Sequence, residues 1–236
     1  PRIISEGSEK EIYLDIFAST YFLLTQWESL IQKGDHLGRY KFEGSTIEKL
    51  NIYKRPLINE YIDFIKSLFG QMGIQTRSRI YSPIFTCDVD SITKYSSLRN
   101  LLGGWRHRGI SYKIYKEYKA SKENKANDVY YSFDYLFKEI ENKGFSSIFY
   151  FMTNKADKKY DTIDYQLDEP LIQRIFRQIK DNKYGLGLHP NIESWKSIST
   201  MQEQKSLLAK HSQVDVKHVR QHYLRYDVNQ TWAIMD

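Results

Sequence analysis

Two aspartates separated by one apolar residue, Asp88-Val89-Asp90, close a short apolar run that begins at Ser82. If the run is a strand, alternation aims both carboxylates the same way beyond its end. There one can hold a cation while the other takes a proton from water. An aspartate at a strand end also caps the next turn or helix, and the pair alone leaves both readings open. Three other segments offer comparable groups: Thr153-Asn154, Gly187-Leu188-His189-Pro190-Asn191 and Arg220-Gln221-His222-Tyr223. Asp, His and His are a set from which open three-ligand metal sites are built, and neutral imidazoles suit zinc. Each histidine also has a plainer use, bonding to backbone through both ring nitrogens. On a strand Arg220 and His222 would share a face, where Arg220 could hold a carboxylate such as Asp88 or form an ordinary exposed ion pair.

These residues need elements that carry them to one place. Apolar runs at Ser82–Val89, Ser146–Met152, Tyr184–His189 and Val216–Leu224 read as strands. Helical periodicity fills the gaps over 128–142, 169–179 and 200–210. Strand, helix, strand at this spacing predicts a parallel sheet with crossover helices, whose functional groups gather beyond the carboxyl ends of the strands. Four such strands are about half of an eight-unit barrel, so the fold class is α/β, a partial distorted (β/α) barrel of parallel strands. Ahead of it, residues 12–31 and 56–70 carry helical periodicity around a polar stretch, 35–49. The domain reading is a small, mainly helical accessory domain over 1–78 and the barrel-like domain over 79–236.

Composition narrows the classes. Of 236 residues, 41% are hydrophobic and 15% aromatic, enough for a sizeable core and too many for a disordered chain. No apolar run of spanning length appears, so no membrane span is expected. A secretory signal peptide is lacking, which favours a cytoplasmic location for the chain as it stands. It starts with Pro1 and stops at Asp236 soon after an apolar stretch, so a fragment is expected. Cys87 is the single cysteine, which excludes an internal disulfide and any multi-cysteine zinc site. The net charge is +6. Residues 1–80 are nearly balanced, and the excess is densest from Trp105 to Lys125, where seven lysines and arginines alternate with Tyr112, Tyr115 and Tyr118.

At the strand ends the chain resembles the polysaccharide deacetylases of carbohydrate esterase family four, and more closely a bacterial branch with an extra N-terminal domain. Phe85-Thr86-Cys87-Asp88-Val89-Asp90 matches the family's first motif, Gly187-Leu188-His189-Pro190 the start of its second, and Arg220-Gln221-His222-Tyr223 resembles its third. Leu14-Asp15-Ile16-Phe17-Ala18-Ser19 and Asp35-His36-Leu37-Gly38-Arg39-Tyr40 look like the companion domain. The resemblance implies a metal-dependent hydrolase that removes N-acetyl or related acyl groups from a carbohydrate. One divalent ion, zinc by its ligand types, would be held by Asp90, His189 and His222. Asp88 would be the catalytic base, Arg220 its holder, and the backbone N–H of Tyr223 an oxyanion donor. The family's second histidine of motif two is Glu193 here, which places His222 as third ligand and Glu193 in reserve. Asn154, Asn191 and Trp195 are further candidate substrate contacts. The later motifs, including the general-acid histidine, would follow Asp236.

Two other classes compete. A catalytically inactive carbohydrate-binding protein would use the same cleft, with Trp105 and Trp195 stacking on sugar rings. The Trp105 to Lys125 stretch could bind nucleic acid or another polyanion, although lysines at this spacing more often form a solvated helix face. Nucleic acid is therefore the weaker partner reading, and oligomeric state is left open.

Overall fold

The computed structural model describes residues 3–6, 9–12, 14–78, 80–95, 97–109 and 111–235, with 3–12 and 108 described by backbone alone. Pro1 and Asp236, the ends on which a fragment was expected, lie outside the described residues. The chain divides into a first unit of residues 1–81 and 226–232 and a second of residues 82–225 and 233–236.

The first unit holds an antiparallel pair, β1 (Ile3–Glu6) and β2 (Glu9–Ile12), then α1 (Ile16–Leu24), a 3-10 turn (Trp27–Leu30), α2 (Thr46–Lys49) and α3 (Leu57–Gln71). The helix expected from Ile12 begins four residues later. Asp15 caps it, its carboxylate accepting the Ala18 N–H at 2.8 Å, and the helix ends before Gln26, which turns left-handed at φ 51°. In the polar stretch, Glu28 gathers the Tyr40 hydroxyl at 2.6 Å and the Thr46 N–H at 3.0 Å, so a charged side chain joins residues far apart in sequence.

The second unit is a four-strand parallel sheet in the order β3 (Ile84–Val89), β4 (Ser146–Phe151), β5 (Gly185–Leu188), β6 (His218–Val219). Its helices are α4 (Leu98–Arg108), α5 (Tyr112–Glu123), α6 (Phe133–Lys143), α7 (Pro170–Asp181) and α8 (Ile198–Ser212). Each strand is added beside the previous one without reversal, and closure into a barrel is not seen among the described residues. The fourth strand is much shorter than the run 216–224 suggests, because the chain turns out of the ladder into a 3-10 turn at His222–Leu224.

One face of the sheet makes the core. Phe85, Val89, Phe149, Phe151, Leu186 and Leu188 pack with the inward stripes of α6, α7 and α8. Helix α7 shows why it forms. Pro170 sits in its first turn, and Ile172, Ile175, Phe176 and Ile179 recur at helical spacing, all of them buried. Each such side chain contributes about 1.5–3 kcal/mol of burial. Helix α6 ends on Gly144, whose φ of 63° suits a residue without Cβ. No helix among the described residues is long and apolar enough to cross a membrane.

Candidate metal centre

The face opposite the core carries the polar groups. Asp88, Tyr150, Gly187 and His218 are successive register partners across the four strands and so share that face. Gly187 is there for space. A Cβ at this position would lie 2.4 Å from the Tyr150 ring, so only glycine lets the ring lie over β5. Arg220, two residues beyond His218, lays its guanidinium over Tyr150 at 4.5 Å and donates to Asp88 Oδ1 at 2.8 Å. The fourth strand thereby grips the end of the first across the two between them.

Three ligand atoms converge at the same end. His189 Nε2 lies 3.3 Å from Asp90 Oδ1, His222 Nδ1 lies 3.9 Å from that oxygen, and the two nitrogens are 2.9 Å apart. A tetrahedral cation with ligands at about 2.0–2.1 Å spaces them about 3.3–3.4 Å from each other. The protonation pattern agrees. His189 Nδ1 faces the Arg220 carbonyl at 2.6 Å, and His222 Nε2 faces the Tyr160 carbonyl at 3.1 Å. A carbonyl only accepts, so in each neutral ring the nitrogen facing it carries the hydrogen and the other presents a lone pair to the centre. Two lone pairs 2.9 Å apart repel unless a cation or a proton lies between them. Asp90 Oδ1 is buried and has no hydrogen-bond donor among the described residues. The residues present fit a divalent cation.

Positive charge beside Asp90 keeps it in its ligand form. A proton carried by the His189 ring toward Asp90 holds its carboxyl below the usual range, against the opposing effect of burial and with further help from the charge of His222. Both imidazoles are buried, His189 at 3% exposure and His222 at 5%, so the centre is shielded on the protein side.

Aspartates and one tyrosine hold the loops that carry these ligands. Just after Asp90, the N–H groups of Ile92 and Thr93 donate to Asp164 and those of Lys94 and Tyr95 to Asp128. Four consecutive amides are thus fixed by two carboxylates. The fully buried Tyr165 donates its hydroxyl to the Val89 carbonyl at 2.6 Å and accepts the Met152 N–H at 3.0 Å, tying the ends of β3 and β4 together. Asp161, with no exposed surface, accepts from the N–H groups of Ala156, Asp157 and Ile192, and its Oδ1 lies 3.7 Å from His222 Nε2. It joins the loop after β4, which carries Tyr160, to the segment after β5.

The other expected site residues have different surroundings. Asn191 is buried, bonds Asn154 at 2.9 Å and accepts from Ser194 at 2.6 Å, so this pair braces the loops. Glu193 is exposed and stands outside the convergent ligand set. Trp195 is 6% exposed, with Arg225 at 4.5 Å and Lys196 at 4.3 Å over its ring, so it offers no open face for a sugar. Trp105 packs on the satellite cluster of Tyr95, Leu101 and Ile114. Arg220 and His222 do not share a strand face, since His222 belongs to the 3-10 turn. Tyr223 and Leu224 there adopt left-handed backbone at φ 56° and 54°, which is uncommon outside glycine. The Tyr223 ring stands edge-on to His222 and Tyr160. Asp128, Tyr160, Asp161, Asp164 and Tyr165 lie more than two residues past a strand, where the strand-end reading does not reach, and Tyr150 inside β4 reads as an ordinary strand residue. For the four residues from Tyr160 to Tyr165 the concentration of Asp and Tyr over 157–165 was the available signal.

A family model described as "Family of unknown function (DUF7033)" matches residues 1–73, wholly ahead of the metal centre. No curated protein and no solved structure matches the chain.

Proposed function

We propose that the second unit is the metal-binding part of a hydrolase that removes N-acetyl or related acyl groups from a sugar or surface polysaccharide, on an arc of a distorted (β/α) barrel. The observation that carries this reading is the convergence of Asp90, His189 and His222, each histidine tautomer set by a backbone carbonyl, beside an aspartate held by an arginine. The unreversed strand order and the resemblance at the three strand-end motifs support it. A divalent cation there, zinc by the donor set, supplies Lewis acidity toward an acyl carbonyl and acidifies water. Asp88 takes the proton of the attacking water, and Arg220, bonded to Oδ1, fixes the orientation of the carboxylate and leaves Oδ2 for that proton. His189 and His222 keep their lone pairs on the centre because their N–H groups are committed to carbonyls. The backbone N–H of Tyr223, one residue beyond a ligand, is the nominated donor to the tetrahedral oxyanion.

Metal analysis together with acetate release from N-acetylglucosamine oligomers tests the reading. The native protein should hold one divalent ion, lost in His189→Ala and His222→Ala. Asp88→Asn should keep the ion and lose about 10²–10⁴-fold in acetate release, the usual contribution of a general base. Full metal content in both histidine variants, or unchanged release in Asp88→Asn, would sink the proposal.

A further inference from the structure

We infer that the helical hairpin α4–α5 is a binding surface for an anionic polysaccharide, which narrows the substrate class of the proposed hydrolase to acidic glycans. The inference rests on that functional reading for its choice of polymer.

The first observation is charge. Over 98–123 stand seven basic residues and two acidic ones, so these 26 residues carry +5 of the chain's net +6. Both acids are engaged: Glu117 turns inward, accepting from the Tyr95 hydroxyl at 3.0 Å and lying 3.9 Å from Lys94, while Glu123 pairs with Lys119 at 3.8 Å. Lys113 and Lys116 are exposed.

The second observation is where the apolar groups lie. On α5 the inward Ile114 and Tyr118 pack on Tyr95 and Ser121 is buried beside Asp128, so the helix has already used its core face. Tyr112, 79% exposed, and Tyr115, 46% exposed, instead alternate with the lysines on the outside, and Leu98 and Leu102 are likewise exposed on α4. A helix that lies in a membrane segregates its apolar and basic faces. Here the rings and cations are interleaved, which suits a polymer with regular negative charges and flat faces between them.

Position is the third. The hairpin is the excursion that follows β3, leaving from the carboxyl end that bears Asp90, and Tyr95 and Lys94 anchor it to the loop fixed by Asp128. In parallel α/β architectures such excursions border the site. A polymer held by the hairpin would thus be gripped by the excursion that leaves from the end of the sheet where the metal ligands converge.

The test is binding of the full chain to polygalacturonate, with neutral N-acetylglucosamine oligomers, a single-stranded oligonucleotide and anionic phospholipid vesicles alongside. Polygalacturonate should bind at low salt and weaken at least tenfold between 50 and 300 mM NaCl, a range in which the Debye length shrinks through about 8–10 Å and exposed ionic contacts are progressively screened. Lys113→Glu with Lys116→Glu should weaken it a further tenfold or more, with an unchanged circular dichroism spectrum. Binding should persist in a chelator, so a failed metal site and a failed hairpin give different results. Salt-insensitive binding, no loss on charge reversal, or tighter binding to the oligonucleotide or the vesicles overturns the inference.

Discussion

Helices α1 and α7 both carry several large apolar residues, yet they use them in opposite ways. In α7 four large residues form one buried stripe, whereas in α1 only Ile16 is buried, and Phe17, Tyr21 and Leu24 stay 74%, 59% and 60% exposed. The contrast extends to how loops are fixed. In the first unit Asp35 and Glu28 gather donors at partly exposed positions, while in the second Asp128 and Asp161 do so under cover of the core. A stripe confined to one face predicts where a helix packs. A helix apolar all round does not, and this is why the periodicity of residues 12–31 gave a helix but not its boundaries.

The contrast is broken most directly by truncating one ring on each side. Phe176→Ala opens a cavity in the core and should cost about 3–5 kcal/mol in denaturant unfolding of the second unit. Phe17→Ala removes an exposed ring and should stay within about 0.5 kcal/mol. Comparable losses from both would mean that α1 is buried to the same degree as α7.

Much of this was legible in the sequence. Apolar runs located β3, β4 and β5 within a few residues, and strand-end chemistry offered the Asp88–Asp90 pair, His189 and His222, from which the resemblance selected Asp90 as the ligand. Legibility stopped where long-range hydrogen bonds decide the path. The run 216–224 is apolar enough for a strand, but His222 Nε2 bonds the Tyr160 carbonyl and Arg225 bonds the Ile192 carbonyl, and these contacts accompany a turn that local pattern cannot announce. Trp195 reads as a sugar platform by residue type alone. Its burial beneath Arg225 is a tertiary fact. Asp161 looks like any loop aspartate until its three donors, from positions 156, 157 and 192, are brought together.

Two substitutions near the centre sharpen the comparison. Asp161→Asn keeps the shape but places an amide among backbone donors, at about 1–3 kcal/mol. As a neighbour of His222 it should also weaken zinc binding about 10–100-fold by competition with a chromophoric chelator, the usual range for groups that support metal ligands. Unchanged zinc affinity would reduce Asp161 to a loop brace. Gly187→Ala forces the Tyr150 ring from beneath Arg220, and should cost about 1–3 kcal/mol as overpacking does. The same shift should loosen the Arg220–Asp88 pair, so acetate release should fall while metal content holds.

The smallest effect concerns the two kinds of carboxylate. Burial raises the Asp128 carboxyl, but the N–H groups of Lys94, Tyr130 and Tyr95 and the Ser121 hydroxyl outweigh it, and the result lies below the ordinary value. Asp35 is brought down to about 2 by Arg39, through its side chain and its backbone N–H, with Leu37 assisting. Both are depressed, so each contributes stability that is fully present above the ordinary carboxylate value near 4 and is lost as pH falls through the folded value. Their response to salt separates them. Arg39 holds Asp35 at a partly exposed site, so NaCl at 1 M, where the Debye length is about 3 Å, should move its titration back toward the ordinary value. Asp128 is 4% exposed and held by fixed backbone dipoles, which mobile ions reach poorly, so its titration should stay in place. Carbon-detected NMR titration of both carboxyls at low and high salt reads the difference. Equal movement of the two would show that the loop after Asp90 is held by charge at the surface rather than by buried hydrogen bonds, and the division between the two units would lose its electrostatic half.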